Sequence, residues 1–184
     1  MIQTITERII RYERSDLDAW KRGDKSLVPD FVTKTADLDN QPSYHFGEMF
    51  ALRWYHQNQG WLGFRGYALG FQYPGSGKRR AGRQKVEEII PASKLARMRE
   101  LRATEPFGSG EPDLFLYKPD GAFMFVEVKK STDKIGPAQL TCIAQILAVL
   151  RCPVEITYLC TPDQEYQPKR YEFDLASLSG RRPV

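Results

Sequence analysis

Residues 111 to 130, "EPDLFLYKPDGAFMFVEVKK", constrain the fold more than any other stretch of the chain. Two apolar runs, Leu114 to Tyr117 and Ala122 to Lys129, flank "KPDG", whose Pro119 and Gly121 occupy the positions that a type I turn favours. This pattern predicts an antiparallel hairpin. In the second run Phe123, Phe125, Glu127 and Lys129 alternate with Met124, Val126 and Val128. Both faces are therefore apolar along most of the strand, as expected of one covered on both sides. The face that carries the phenylalanines turns charged only at its C-terminal end. Asp113 enters the first run, and Glu127 and Lys129 close the second. An unpaired charge in such a setting costs several kcal/mol or is driven neutral, so something must compensate.

The hairpin brings Asp113 beside Glu127. The two arms differ in length from turn to motif, which predicts a bulge or flare. Two carboxylates at close range repel unless a cation lies between them. Oxygen ligands without a thiolate suit Mg²⁺ or Mn²⁺. The alternative is that Asp113 begins a turn while Glu127 and Lys129 neutralise each other as an ion pair.

The remaining chain reads as mixed α/β. A helix is predicted near residues 2 to 13, with Ile2, Ile5, Ile9 and Tyr12 on one face. "YHFGEMFALRWYHQNQG" predicts a helix over 44 to 60, closed by Gly60 and packed on more than one side, with Glu48 facing inward. A short strand follows Trp61, and from Tyr73 the chain is expected to be loop until a helix over 91 to 104. "GPAQLTCIAQILAVLR" predicts a helix with Pro137 in its first turn, and "PVEITYLC" a final strand. The expected architecture is an α/β core, a mixed sheet flanked by helices. Residues 44–162 form that core with a basic insertion at about 73–105. Residues 1–43 are an N-terminal extension of unreadable role, and 163–184 a tail.

Charge narrows the partners. The chain is net +4, yet residues 78 to 102 hold nine Lys or Arg against three Glu, leaving the rest net acidic. A concentrated basic stretch suits a polyanion, and its bland alternative is a solvated helix face. Arg65, Arg79, Arg80 and Arg83 are the candidates for backbone phosphate contacts, with Lys78 and Lys130 beside them. Cys142, Cys152 and Cys160 have no paired spacing and read as reduced core thiols of an intracellular, cytoplasmic protein. No apolar run is long enough to span a membrane. The two histidines, His45 and His56, have no nearby Cys to make a zinc site. "GSGK" at 75 to 78 lacks the spacing of a phosphate loop.

"PDLFLYKPDGAFMFVEVKK" resembles the PD-(D/E)xK nuclease signature, with Pro112, Asp113, Glu127, Val128 and Lys129 on its pattern. More narrowly, "GEPDLFLY" and "FVEVKKSTDKIGPAQ" resemble the virus-type replication-repair nuclease (VRR-NUC) domain, Gln139 included. "EMFALRWYHQNQGWLGFRG" is similar to that family's first motif, which places Glu48. The resemblance implies a restriction-endonuclease-like fold and a DNA nuclease dependent on Mg²⁺ or Mn²⁺. It would act on branched or flapped DNA in replication, repair or recombination, in a bacterial or phage-encoded setting. Asp113 and Glu127 would bind metal, with the Val128 carbonyl and Glu48 contributing, and Lys129 would activate water. Gln139 would position the site or contact DNA; its alternative is a hydrogen bond at the helix start. Glu48 has a structural ion pair as its alternative. A restriction-type endonuclease and an inactive DNA-binding module of the same fold are the competing readings. A symmetric junction would favour a homodimer, though no interface is legible.

Overall fold

In the computed structural model, residues 1–32, 44–69, 79–103, 110–130 and 133–182 are described. The hairpin forms as the pattern demands, from β4 (Leu114–Tyr117) and β5 (Phe123–Lys130). Its register runs from Leu114↔Val126 to Tyr117↔Phe123 without interruption. The expected bulge is therefore not needed. The extra residue is taken up in the turn, where Gly121 adopts a φ of 87° and its N–H bonds to Lys118 O at 3.0 Å. A type I turn extended by a left-handed residue closes hairpins in this way.

Behind β5 the chain runs through α5 (Pro137–Gln145), which continues into a π-helical turn over Ile146–Leu150. It returns as β6 (Val154–Cys160), parallel to β5 from Phe125↔Val154 to Lys130↔Leu159. β3 (Leu62–Phe64) pairs with the free edge of β4. The fifth strand comes from near the N-terminus: β2 (Arg8–Arg11) lies parallel to β6. The sheet order is β2-β6-β5-β4-β3.

Helices cover both faces. Against one lie α1 (Arg14–Lys21) and α2 (Phe46–Gln59), which bury Trp20, Phe46, Met49, Leu52 and Tyr55 on Leu114, Leu116, Met124 and Val126. Each such aromatic or aliphatic side chain contributes about 1.5–3 kcal/mol of burial. Against the other lie α5, α3 (Arg80–Ile89) and α4 (Ala92–Arg102), packed on Phe115, Phe125 and Ile156. This mixed α/β architecture is a restriction-endonuclease-like core. Among the described residues, no helix is long and apolar enough to cross a membrane.

Three expectations need correction. Residues 2 to 13 are not a helix but β1 (Ile2–Thr6) and β2. Their burial alternates, Ile5 and Glu7 and then Ile10 and Tyr12 facing inward, while Ile2 stays exposed. Sheet partners elsewhere in the chain decided the matter, as they do for β-branched segments. The segment expected to be loop from Tyr73 contains α3, held by Val86 and Ile90 in the core and by an Arg83–Glu87 pair one turn apart. Its residues before Arg79 lie outside the described residues. The C-terminal stretch is not a bare tail: β7 (Arg170–Asp174) and β8 (Ser179–Arg181) join β1 in a separate antiparallel sheet. Thus β1 and β2, from the stretch set apart as 1–43, belong to the two sheets of the fold.

Candidate active site

The site lies at the C-terminal end of β5, where the first turns of α2 and α5 approach from opposite faces. One step beyond the Leu114↔Val126 pair, the register sets Asp113 across from Glu127. The Val128 N–H donates to Asp113 Oδ2 at 2.8 Å, so the strand itself holds the first carboxylate. Glu127 is fully buried. Its Oε1 accepts from Gln139 Nε2 and lies 2.6 Å from Lys129 Nζ. Its Oε2 is buried with no hydrogen-bond partner.

Gln139 does two things at once. Its Oε1 accepts the Gly136 N–H at 3.0 Å, satisfying an orphan donor at the start of α5, and its amide then reaches Glu127. Helix-start hydrogen bond and site-positioning contact are the same side chain. Glu48, in the first turn of α2, accepts from His45 Nδ1 at 2.9 Å. Arg65 Nη1 lies 3.2 Å from both ring nitrogens of His45. Glu48, Asp113, Val128, Lys129, Lys130 and Asp133 line one cleft of about 420 Å³.

Burial dominates the electrostatics. It pushes the Asp113 carboxyl up to about 6, helped by the Glu48 and Asp133 charges and opposed by the Val128 hydrogen bond. It pushes Glu127 further, up to about 8; the Asp113 charge adds to this, and Lys129 and Gln139 counteract only part of it. Glu48 goes the other way. Burial raises it, but hydrogen bonding and the His45 and Lys130 charges outweigh that and hold it below the usual carboxylate range.

The approach to Asp113 is braced from three sides. Gly110 has a φ of 75°, and a Cβ there would stand 2.3 Å from Ala138 O, so only glycine lets this turn press on α5. Glu111 Oε1 accepts the Leu69 N–H at 3.0 Å, and the buried Tyr67 hydroxyl donates to Pro112 O at 2.6 Å. Glu111 and Tyr67 were not singled out from sequence, and His45 was weighed there only as a zinc ligand. Only Glu111 carried a local sign, its place in "GEPD".

The predicted phosphate contacts divide. Lys130 lines the cleft. Arg65 stands against His45, and its guanidinium is held below its ordinary range by burial and then by the Arg79 charge, which places Arg79 on the same side. Arg80 is exposed at the start of α3, whereas Arg83 is engaged with Glu87 at 2.9 Å. Lys78 lies outside the described residues. Much of the basic stretch is consumed internally: Lys85 pairs with Glu88, Arg97 with Glu100, and Arg102, 1% exposed, bonds Gln145 at 3.3 Å.

The donor set fits a hard cation. Among the described residues, no three His, Cys, Asp or Glu side chains form a closed metal group. Mg²⁺ does not ask for one, since it is held by one or two carboxylates and completed by water and substrate phosphate. Glu127 Oε2, a carboxyl oxygen buried without a hydrogen-bond partner, supplies the unmet demand. A family model for the VRR-NUC domain matches residues 58–158.

The chain belongs to the VRR-NUC family.

The matched span contains Asp113, Glu127, Lys129 and Gln139; Glu48, on α2, precedes it and lines the same cleft as Asp113 and Lys129. This is a nuclease family of PD-(D/E)xK type. No curated protein and no solved structure matches the chain significantly.

Proposed function

We propose that this VRR-NUC protein is a divalent-metal-dependent DNA nuclease, selective for flapped or branched DNA, acting in replication, repair or recombination. The observation that carries the reading is the partnerless, fully buried Oε2 of Glu127 across from Asp113. A charge-neutralising cluster would leave no such atom, because an unmet buried carboxylate oxygen costs about 1–3 kcal/mol or more.

Asp113 and Glu127 would hold Mg²⁺ or Mn²⁺, with the Val128 carbonyl and Glu48 as the further oxygens at hand. When bound, the metal supplies an acidified water and neutralises charge on the phosphoryl oxygens. The protein's own residues do the rest. Gln139 and the Val128 N–H fix the two carboxylates, so their lone pairs are oriented before substrate arrives. Lys129, mostly buried and held by Glu127, sets an ammonium beside the acids to offset the negative charge that grows on phosphate. His45 holds Glu48 ionised at the cleft wall. Hydrolysis forms a bond from water oxygen to phosphorus and breaks the bond from phosphorus to a sugar oxygen. The water's proton leaves through the cleft, and the departing oxygen gains one from solvent. Arg65, Lys78, Arg79, Arg80, Arg83 and Lys130 would contact neighbouring phosphates.

The deciding experiment incubates purified protein, with Mg²⁺ or Mn²⁺, with labelled flapped, branched, linear and single-stranded DNA. Wild type is expected to cut branched or flapped substrates, and Asp113→Ala and Lys129→Ala to abolish cutting. Cutting that survives both variants assigns the activity elsewhere. Binding without any cutting supports the inactive module, and cutting at one base sequence supports a restriction-type enzyme. Molar mass in solution, alone and with a symmetric junction, tests for the homodimer.

A further inference from the structure

Tyr44 lines the cleft beside Lys129 and Lys130 and is 62% exposed. The next aromatic, Phe46, is fully buried. Backbone geometry makes the difference. The Tyr44 carbonyl accepts from Trp20 Nε1 at 3.1 Å, and Trp20 is itself fully buried, so the position is tied to the core. His45 then adopts a φ of 65°, a left-handed turn that histidine enters more readily than most residues. The turn starts α2, sending Phe46 inward and leaving the tyrosine ring at the cleft. The Tyr44 and His45 ring centroids are 6.1 Å apart, which sets the tyrosine next to the His45–Glu48 pair.

We propose that Tyr44 is a stacking platform for an unpaired nucleobase adjacent to the phosphate that is cut. This rests on the nuclease reading above and names what the site selects. In continuous duplex every base is already stacked on its neighbours, and its π face is not on offer. A flap, a frayed end or a junction provides a base at no unstacking cost. Stacking on an aromatic side chain tolerates any base, so it discriminates by DNA structure rather than by sequence. The same cleft carries the Lys129 and Lys130 ammonium groups, which receive the phosphates of the stacked nucleotide. Asp113, Glu127 and Lys129 act on the phosphodiester itself and cannot distinguish a branched substrate from a linear one; Tyr44 can.

The test compares kcat/KM, with Mn²⁺, on a flapped duplex and on a continuous duplex of the same sequence. Tyr44→Ala is expected to lower the flap-to-duplex ratio about tenfold, and Tyr44→Trp to restore it. A second readout uses 2-aminopurine at the unpaired position, bound to the full chain carrying Asp113→Ala. Its fluorescence is expected to be quenched by stacking and to recover when Tyr44→Ala is added. A ratio and a fluorescence both unmoved by Tyr44→Ala, while Asp113→Ala still abolishes cutting, overturn the stacking proposal and leave the nuclease standing. Wild-type protein that cuts neither substrate overturns both.

Discussion

Among the described residues, Glu7 and Glu127 are both buried, and their surroundings differ in kind. Glu7, 5% exposed between β1 and β2, is fully answered. Tyr171 donates to its Oε1 at 3.0 Å, and Tyr166 and the Lys169 N–H donate to its Oε2 at 2.7 and 2.8 Å. Glu127 has comparable burial, but its two donors share one oxygen and the other has none. A structural carboxylate is surrounded by as many donors as it has needs. In the proposed reading, a carboxylate left short by the chain alone is completed by a bound cation. Glu7 ties the two sheets together, whereas Glu127 lies behind the cleft that its neighbours Val128 and Lys129 line.

The largest effect should separate them by function. Glu127→Gln is expected to cut the nuclease rate by about 10³-fold, the scale of losing an electrostatic stabiliser, while Glu7→Gln keeps most of the specific activity per folded molecule. Steady-state rates on a flapped substrate, normalised to folded protein, check this. Equal losses would erase the distinction.

The pH dependence of stability comes next. The folded pKa values of Asp113 and Glu127 lie above those of the unfolded chain. The folded state therefore binds more protons across that interval, and the favourable contribution is present below the unfolded values. It is lost as pH rises through about 6 and then about 8. Against Glu127→Gln, which cannot ionise there, metal-free wild type should lose several degrees of Tm between pH 5 and 9. Added Mn²⁺ should raise the wild-type Tm more at pH 8 than at pH 6, because protons then compete less for the ligands. Thermal melts across that range, with and without Mn²⁺, measure both effects. Parallel curves for the two proteins would show that Glu127 is not held protonated.

Glu7→Gln should destabilise the fold by about 2 kcal/mol, because an amide NH₂ must face at least one of the donors that the carboxylate now satisfies. At this chain length that is a Tm lower by about 4–8 °C, read from a thermal melt. The smallest effect sharpens the comparison at the site's edge. Tyr67→Phe removes the donor to Pro112 O and should cost about 1 kcal/mol of stability, with a several-fold loss of kcat as the Asp113 approach loosens. A loss in KM alone would show instead that Tyr67 serves substrate binding.

Local periodicity made β4, β5, α2 and α5 legible, because each carries its own turn or cap: "KPDG" for the hairpin, Gly60 after α2, Pro137 in α5. The same periodicity misled over residues 2 to 13. Isoleucines at helical spacing also fit two short strands, and β1 and β2 find their partners far along the chain, at Arg170–Asp174 and from Thr157 to Cys160. The stretch read as loop concealed α3 because its charges, which drew attention as a surface for a polyanion, partly pair with one another along the helix. In the site, Asp113, Glu127 and Lys129 were visible through alternation along strands. His45, Glu111 and Tyr67 were not, since each acts through a contact that depends on how helix and strand ends meet.

The sequence by itself determined that three charges would gather at one strand end, because the two-residue period of a hairpin leaves them nowhere else to go. Only the tertiary structure decided how those charges are answered. Gln139 arrives on α5 and Glu48 on α2, from opposite faces of the sheet, and Glu127 Oε2 is passed over by both. Alternation is a property of neighbouring residues, whereas hydrogen-bond supply depends on which distant elements pack there.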